Sequence, residues 1–172
     1  MSKNAHRSAA APRKKPAPVA APVASTTGAE VPYATTLHVR DTCLCLFVQR
    51  AARALARRFD LALQKLDLTN GQFSLLMSLN RPEAPGMGAV AHLLAMDRTT
   101  LTAALKPLQR RGLVEVSPDP ADRRGRLLSL TKAGKKLLAA ALPIWQEQHR
   151  ALEDSLPGAA PDRLRRDLAA LS

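Results

Sequence analysis

The chain has 172 residues, 46% of them apolar but only 3% aromatic, so it suits one domain plus a tail with a core of Leu, Ala and Val. A formal net charge of +12 points to a polyanionic partner, nucleic acid before an anionic membrane surface, although codon bias toward Arg and Ala also makes basic proteins. Two cysteines without metal-ligand spacing exclude a disulfide framework and a zinc site, and the lack of any run of ~18 apolar residues excludes a spanning helix.

Residues 1–34 form a region of their own. Ala and Pro dominate, Lys3, Arg7, Arg13, Lys14 and Lys15 carry charge, and the first acidic residue is Glu30. Closely spaced prolines favour extended, solvated chain, so this is read as a disordered basic tail. It either adds phosphate contacts or serves only as a solubilising segment. It lacks the apolar stretch of a secretory signal, and its prolines oppose the helix of a transit peptide, so a cytoplasmic, nucleoid-associated location is expected.

A long helix is predicted from Leu37 to Leu66. Leu44, Phe47, Val48, Ala51, Leu55, Phe59, Ala62 and Leu66 recur at three- and four-residue steps and make one stripe, with Arg50, Arg53, Arg57 and Arg58 mostly off it. A helix of that length outruns the core of one small chain, so pairing with another chain is the natural cover. Thr69-Asn70-Gly71 marks a turn, with Thr69 capping a helix through Leu79. Arg81 to Gly88 reads as a loop, and a short helix from Ala89 to Met96 turns Val90, Leu93 and Leu94 inward. Asp97 caps the next helix, which runs to Arg110 or Arg111 and stops at Gly112.

Two strands, Leu113–Ser117 and Arg126–Leu130, bracket a run of turn formers and read as a β-hairpin. A second long helix follows from Thr131 to about Leu156, with Pro143 as a candidate kink. Pro157-Gly158 breaks the chain, and a last helix spans Pro161 to Leu171. The order helix, short helix, turn, helix, hairpin is a winged helix-turn-helix.

The helix from Asp97 carries the candidate site. Leu101, Ala104, Leu105 and Leu108 point one way, toward a core, while Thr99, Thr102, Ala103, Lys106 and Arg110 point the other. Small hydroxyls, a methyl and two cations suit base edges and phosphates in a major groove. Arg98 and Thr100 lie in the first turn, the part of such a helix that sits deepest. At the hairpin tip Arg123, Arg124 and Arg126 surround Gly125, with Asp122 close by. An arginine there suits a narrow minor groove, and a carboxylate two residues earlier is placed to hold its guanidinium.

The segments Asp97-Arg98-Thr99-Thr100-Leu101-Thr102, Leu105-Lys106-Pro107-Leu108 and Arg111-Gly112-Leu113-Val114 resemble the recognition helix of the MarR family. Asp119-Pro120-Ala121-Asp122-Arg123-Arg124-Gly125, with Leu128-Ser129-Leu130-Thr131-Lys132-Ala133-Gly134, resembles its wing and wing-to-helix junction. The resemblance covers the chain from about Leu37 to the C-terminus. It implies a mainly α subunit of six helices with a two- or three-stranded β-wing, joined as a homodimer through its N- and C-terminal helices. The corresponding division is a tail at 1–34, a dimerisation helix at 35–66, a DNA-binding lobe at 67–131 and C-terminal dimerisation helices at 132–172. It also implies double-stranded DNA with a pseudo-palindromic operator, repression as the commonest mode, and Asp122 and Arg124 as the wing pair.

For the signal, the resemblance offers a small anionic aromatic or thioester effector, with Arg50, Arg53 and Arg57 either candidate partners for its charge or, as long charged side chains usually are, a solvated face. Leu44-Cys45-Leu46 is also similar to the organic-hydroperoxide-sensing branch, which makes Cys45 a candidate redox residue, although Gln49 and Phe59 stand where that branch carries tyrosines. In a continuous helix Cys43 would project about 200° from Cys45 and could not easily resolve it. The alternative for Cys45 is a small buried hydrophobe, the usual state of a free cysteine. No cofactor or metal is expected, and an enzyme finds no support: His6, His38, His92 and His149 are scattered and no phosphate-cradling glycine loop occurs. The rival reading is a non-specific architectural DNA-binding protein.

Overall fold

The computed structural model describes residues 30–122, 124–156 and 161–171. They fall into two compact units that meet between Thr42 and Cys43. The first holds a single described helix, α1 (Tyr33–Thr42), which opens where the Pro32 carbonyl accepts the N–H of Thr35 at 2.9 Å. Tyr33 and Ala34 are therefore helical, whereas residues 1–29 of the expected tail lie outside the described residues.

The single helix expected over Leu37–Leu66 is instead broken at Cys43, whose backbone is extended (φ −71°, ψ 106°). At the break the Thr42 hydroxyl donates to the His38 carbonyl at 2.7 Å, a back-bond that competes with the regular ladder. α2 then runs over Leu44–Leu63 and tightens into a 3₁₀ turn, Gln64–Leu66. This break makes seven helices among the described residues where six were expected.

α3 (Asn70–Ser78) starts with a full capping box: the Thr69 hydroxyl accepts the Gln72 N–H, and the Gln72 side chain accepts that of Thr69. α4 (Met87–Leu93) begins two residues before the expected start, so Gly88 is helical rather than loop. Val90 is buried as expected, with Ala91 beside it, and the inward stripe Met87, Val90, Ala91, Leu94 leaves Leu93 on its flank and half exposed, correcting its expected inward position. After a turn in which Ala95 takes a left-handed conformation, α5 (Arg98–Arg110) follows. It ends as the sequence predicts. Gly112 sits at φ +65°, with Gly112 N–H on Gln109 O and Leu113 N–H on Leu108 O, both at 2.9 Å. That pair of bonds satisfies carbonyls a helix end leaves open, in a geometry glycine adopts without penalty.

β1 (Val114–Pro118) and β2 (Arg126–Leu130) pair antiparallel, Val114 opposite Leu130 and Pro118 opposite Arg126. A third strand is reduced to one bridge, Gly86 with Leu127. α6 (Lys132–Asp154) runs through Pro143, and α7 (Pro161–Ala169) follows; the expected Pro157-Gly158 break lies outside the described residues. Leu63, Leu75, Leu76, Leu101, Leu108 and Leu128 are each at most 1% exposed and hold α2, α3, α5 and the hairpin on one core. Each such side chain contributes about 1.5–3 kcal/mol of burial free energy, which fixes α5 beneath the wing.

Candidate nucleic-acid interface

The recognition-type helix is set by its first residue. Asp97 Oδ1 accepts the Thr100 N–H at 2.8 Å, and Asp97 Oδ2 accepts the Thr100 hydroxyl at 2.7 Å. Those bonds, the hydroxyl's first, hold the Asp97 carboxyl below its ordinary range. Thr100, singled out as a base-contacting candidate, thus has its hydroxyl proton committed to the cap and presents only acceptor lone pairs. Thr102 likewise donates to the Arg98 carbonyl at 2.7 Å. Because the folded Asp97 is the more acidic form, its contribution is complete above the ordinary carboxylate value near ~4 and is lost as pH falls through the lower folded value. Asp97→Ala is expected to melt below wild type at pH 7, with the gap closing under acid; a gap constant from pH 7 to 3 would remove Asp97 as the ionised cap.

Leu101, Leu105 and Leu108 are buried and Ala104 is half-buried, as the helical phase predicts, while Arg98, Thr99, Thr102, Ala103, Lys106 and Arg110 are exposed. Arg98, Thr99, Thr102, Ala103 and Lys106 line a groove of about 310 Å³ along α5. Beside it, Arg98 and Thr102 also line a cleft of about 520 Å³ whose far wall is the wing, with Asp119, Asp122, Arg124, Gly125 and Arg126. Arg98 and Thr102 therefore join helix face and wing into one continuous surface.

The wing tip is organised by its aspartates. Asp119 Oδ1 accepts the Ala121 N–H at 2.8 Å, and Asp122 Oδ1 accepts the Arg124 N–H at 2.9 Å. Gly125 closes the turn, its N–H on Asp122 O at 2.8 Å, and a Cβ there would lie 2.8 Å from Asp119 Cβ. The expected carboxylate–guanidinium pairing of Asp122 with Arg124 is replaced by this backbone turn, because a short Asp side chain reaches the N–H two residues on more readily than a long side chain's head. Among the described residues, Arg98, Lys106, Arg110 and Arg124 make no ion pair. Arg126 donates to the Gly125 carbonyl at 2.8 Å. Both wing carboxylates bind backbone N–H groups, so the cations face solvent unneutralised. Arg123 lies outside the described residues.

Other candidates are more dispersed. Cys45 is exposed rather than buried, and Cys43, being extended, does not follow the helical projection. Arg50, Arg53 and Arg57 are exposed on α2, with Arg53 on Gln49 at 3.2 Å. Phe73, Ser74, Met77, Ser78, Leu93, Leu94 and Trp145 line an apolar cleft of about 360 Å³ that none of those arginines borders. Trp145 stacks between Phe73 (centroids 6.1 Å apart) and His149 (4.5 Å). Sequence reading placed Asp119 in the wing-like segment without a role of its own and missed the aromatic cleft; the Asp-Pro-x-Asp turn pattern is the signal that Asp119 left. Among the described residues no helix is long and apolar enough to cross a membrane, and no His/Cys/Asp/Glu group could hold a metal ion.

A helix-turn-helix whose second helix adjoins a basic hairpin defines the winged-helix class. Residues 68–125 match the family described as the MarR family. The chain is 34% identical over 106 residues to the uncharacterized HTH-type transcriptional regulator YdcH of Bacillus subtilis (strain 168), covering 59% of this chain and 72% of the relative. It is 41% identical over 80 residues to the transcriptional regulator HosA of Escherichia coli O111:H-, 45% of this chain and only 58% of HosA's length. Among solved structures it resembles the M. tuberculosis transcriptional regulator MosR in complex with DNA, at TM-score 0.69 and 38% identity over 75% of this chain and 92% of that one. The chain belongs to the MarR family.

Proposed function

We propose that the protein is a transcriptional repressor that binds double-stranded DNA as a homodimer, reading a pseudo-palindromic operator and released by a small aromatic effector. The observation that carries this is the continuous cationic surface joined at Arg98 and Thr102. α5 offers Thr99, Thr102 and Lys106 to a major groove while Arg124 reaches the minor groove beside it. The likeness to MosR, solved with DNA, supports a duplex as the partner. Leu44, Phe47, Val48 and Leu55 on α2 and Leu164 and Leu168 on α7 are exposed, and such apolar faces support cover by a second copy.

The cleft at Trp145 supports the aromatic part of the effector, and it borders α4, the helix that leads into α5. It has no cationic wall, so an effector's anionic group would have to find its partner elsewhere. The test begins with sequencing DNA recovered with the protein from cells, followed by titration of the recovered site against random duplex. A dimer that prefers the site by ~10³-fold or more is expected; equal affinities would make the protein architectural instead. Benzoate, benzamide and an organic hydroperoxide are then added to the complex. Release by the arenes supports the aromatic effector, whereas release by hydroperoxide alone, abolished in Cys45→Ser, would replace it with a thiol sensor.

A further inference from the structure

Beyond the shared core, the surface proposed to read DNA is tied at its far end to the α2–3₁₀ segment by hydrogen bonds from one side chain, Arg111. Arg111 is the residue at which α5 ends, immediately before Gly112. Its guanidinium does not turn toward the wing. Nη1 donates to the Asp67 carbonyl and Nη2 to the Leu66 carbonyl at 3.3 Å, with the Asp67 carboxylate 3.7 Å away. These acceptors belong to the C-terminal end of the α2–3₁₀ segment.

That end closes as α5 does. Asp67 is left-handed (φ 52°, ψ 44°), with Asp67 N–H on Gln64 O at 2.9 Å and Leu68 N–H on Leu63 O at 3.4 Å. Those two bonds occupy the Leu63 and Gln64 carbonyls and leave Leu66 and Asp67 open. A helix C-terminus concentrates partial negative charge on such carbonyls, and a planar guanidinium can address two at once. Arg111 thereby fastens the last turn of one helix to the last turn of another, 44 residues earlier in sequence. The fastening spans the rim of a cleft of about 480 Å³, lined by Asp60, Gln64, Thr69, Pro107 and Arg111 among others, and so adds a polar tie outside the core in which Leu63 and Leu108 pack.

We infer that Arg111 is a positioning residue for DNA recognition: it fixes the pitch of α5 relative to α2, so the exposed face of α5 meets base edges in register, without itself touching nucleic acid. This rests on the DNA-binding reading above. Non-specific affinity comes from phosphate contacts and tolerates small tilts, whereas base readout does not. Loss of the fastening should therefore lower specific affinity selectively. A phosphate-contacting arginine would behave differently, reducing the salt dependence of both.

The experiment titrates wild type, Arg111→Lys and Arg111→Ala against the recovered operator and a random duplex over a range of salt, with a thermal melt of each protein. Arg111→Ala is expected to lose ~10-fold in operator affinity with its log–log salt slope unchanged, and less than about twofold on random duplex. Arg111→Lys, which can serve one carbonyl but not two, should recover part of the loss. A slope smaller by about 0.9 per arginine would make Arg111 a phosphate contact and overturn the inference. So would unchanged operator affinity, or an equal loss on both duplexes that tracks a fallen melting temperature. If wild type does not distinguish operator from random duplex, the DNA-recognition reading fails in that arm, before any variant is compared.

Discussion

Gly134→Ala is expected to destabilise the protein, although the residue sits in the first turn of a helix where alanine is ordinarily favoured by about 1 kcal/mol. A Cβ at Gly134 would lie 2.1 Å from the Leu113 carbonyl oxygen and 3.1 Å from its carbonyl carbon. Both are backbone atoms, so no rotamer change relieves the clash. The Leu113 carbonyl is also engaged by the Thr131 N–H at 3.1 Å, and the Thr131 hydroxyl donates to Gly112 O at 2.7 Å while accepting the Gly134 N–H at 3.0 Å. One residue's added methyl would thus pry apart the end of α5, the start of β1 and the start of α6. Over-packing of this kind costs about 3 kcal/mol, which for a chain of this size lowers the melting temperature by roughly 6–12 °C. Gly71→Ala is the matched control: nothing lies within 4 Å of a Cβ there, so it should leave the melting temperature unchanged or raise it. A Gly134→Ala protein that melts with wild type would show that the helix-to-hairpin contact relaxes freely.

Most of the lobe built from α5 and the hairpin is legible in sequence because its end signals are local. Asp97, Gly112 and the hairpin turn formers act within a few residues of themselves, through caps and turns whose chemistry is local, whereas Thr131 caps α6 locally and also reaches back to Gly112. Periodicity then places Leu101, Leu105 and Leu108 inside without further information. The parts that escape sequence reading depend on something distant or absent from a one-dimensional pattern. The stripe on α2 has the periodicity of a buried face, yet Leu44, Phe47 and Val48 are exposed within the chain, because periodicity reports that a face is apolar and not what covers it. The break at Cys43 interrupts a run with no proline or glycine to announce it. The Arg111 fastening joins residues 44 apart, and an arginine at a helix end looks locally like a favourable charge on the helix dipole. The start of α4 turned on whether Gly88 was loop or helix, which composition alone does not decide.

At the wing, the two functions that a sequence pattern merges can be separated by substitution. Arg124→Ala should lower operator affinity by ~10-fold or more and reduce the salt slope by about 0.9 for each wing, with the melting temperature unchanged because the side chain is exposed and makes no ion pair among the described residues. Asp122 is the sharper case. If its carboxylate steadied the arginine by charge, neutralisation alone would cost binding. In the structure it instead accepts the Arg124 backbone N–H at 2.9 Å, a task an amide oxygen performs as well. Asp122→Asn is therefore expected to bind operator within about twofold of wild type, whereas Asp122→Ala, which leaves the turn without its acceptor, should lose most of what Arg124→Ala loses. The two aspartate variants compared in one titration decide the matter: if asparagine proves as damaging as alanine, charge and not the turn holds the arginine. The same comparison indicates how the arginine is presented to a narrow groove. Among the described residues the Arg124 guanidinium pairs with no carboxylate, so in the proposed complex its partner would be the negative potential of the duplex itself.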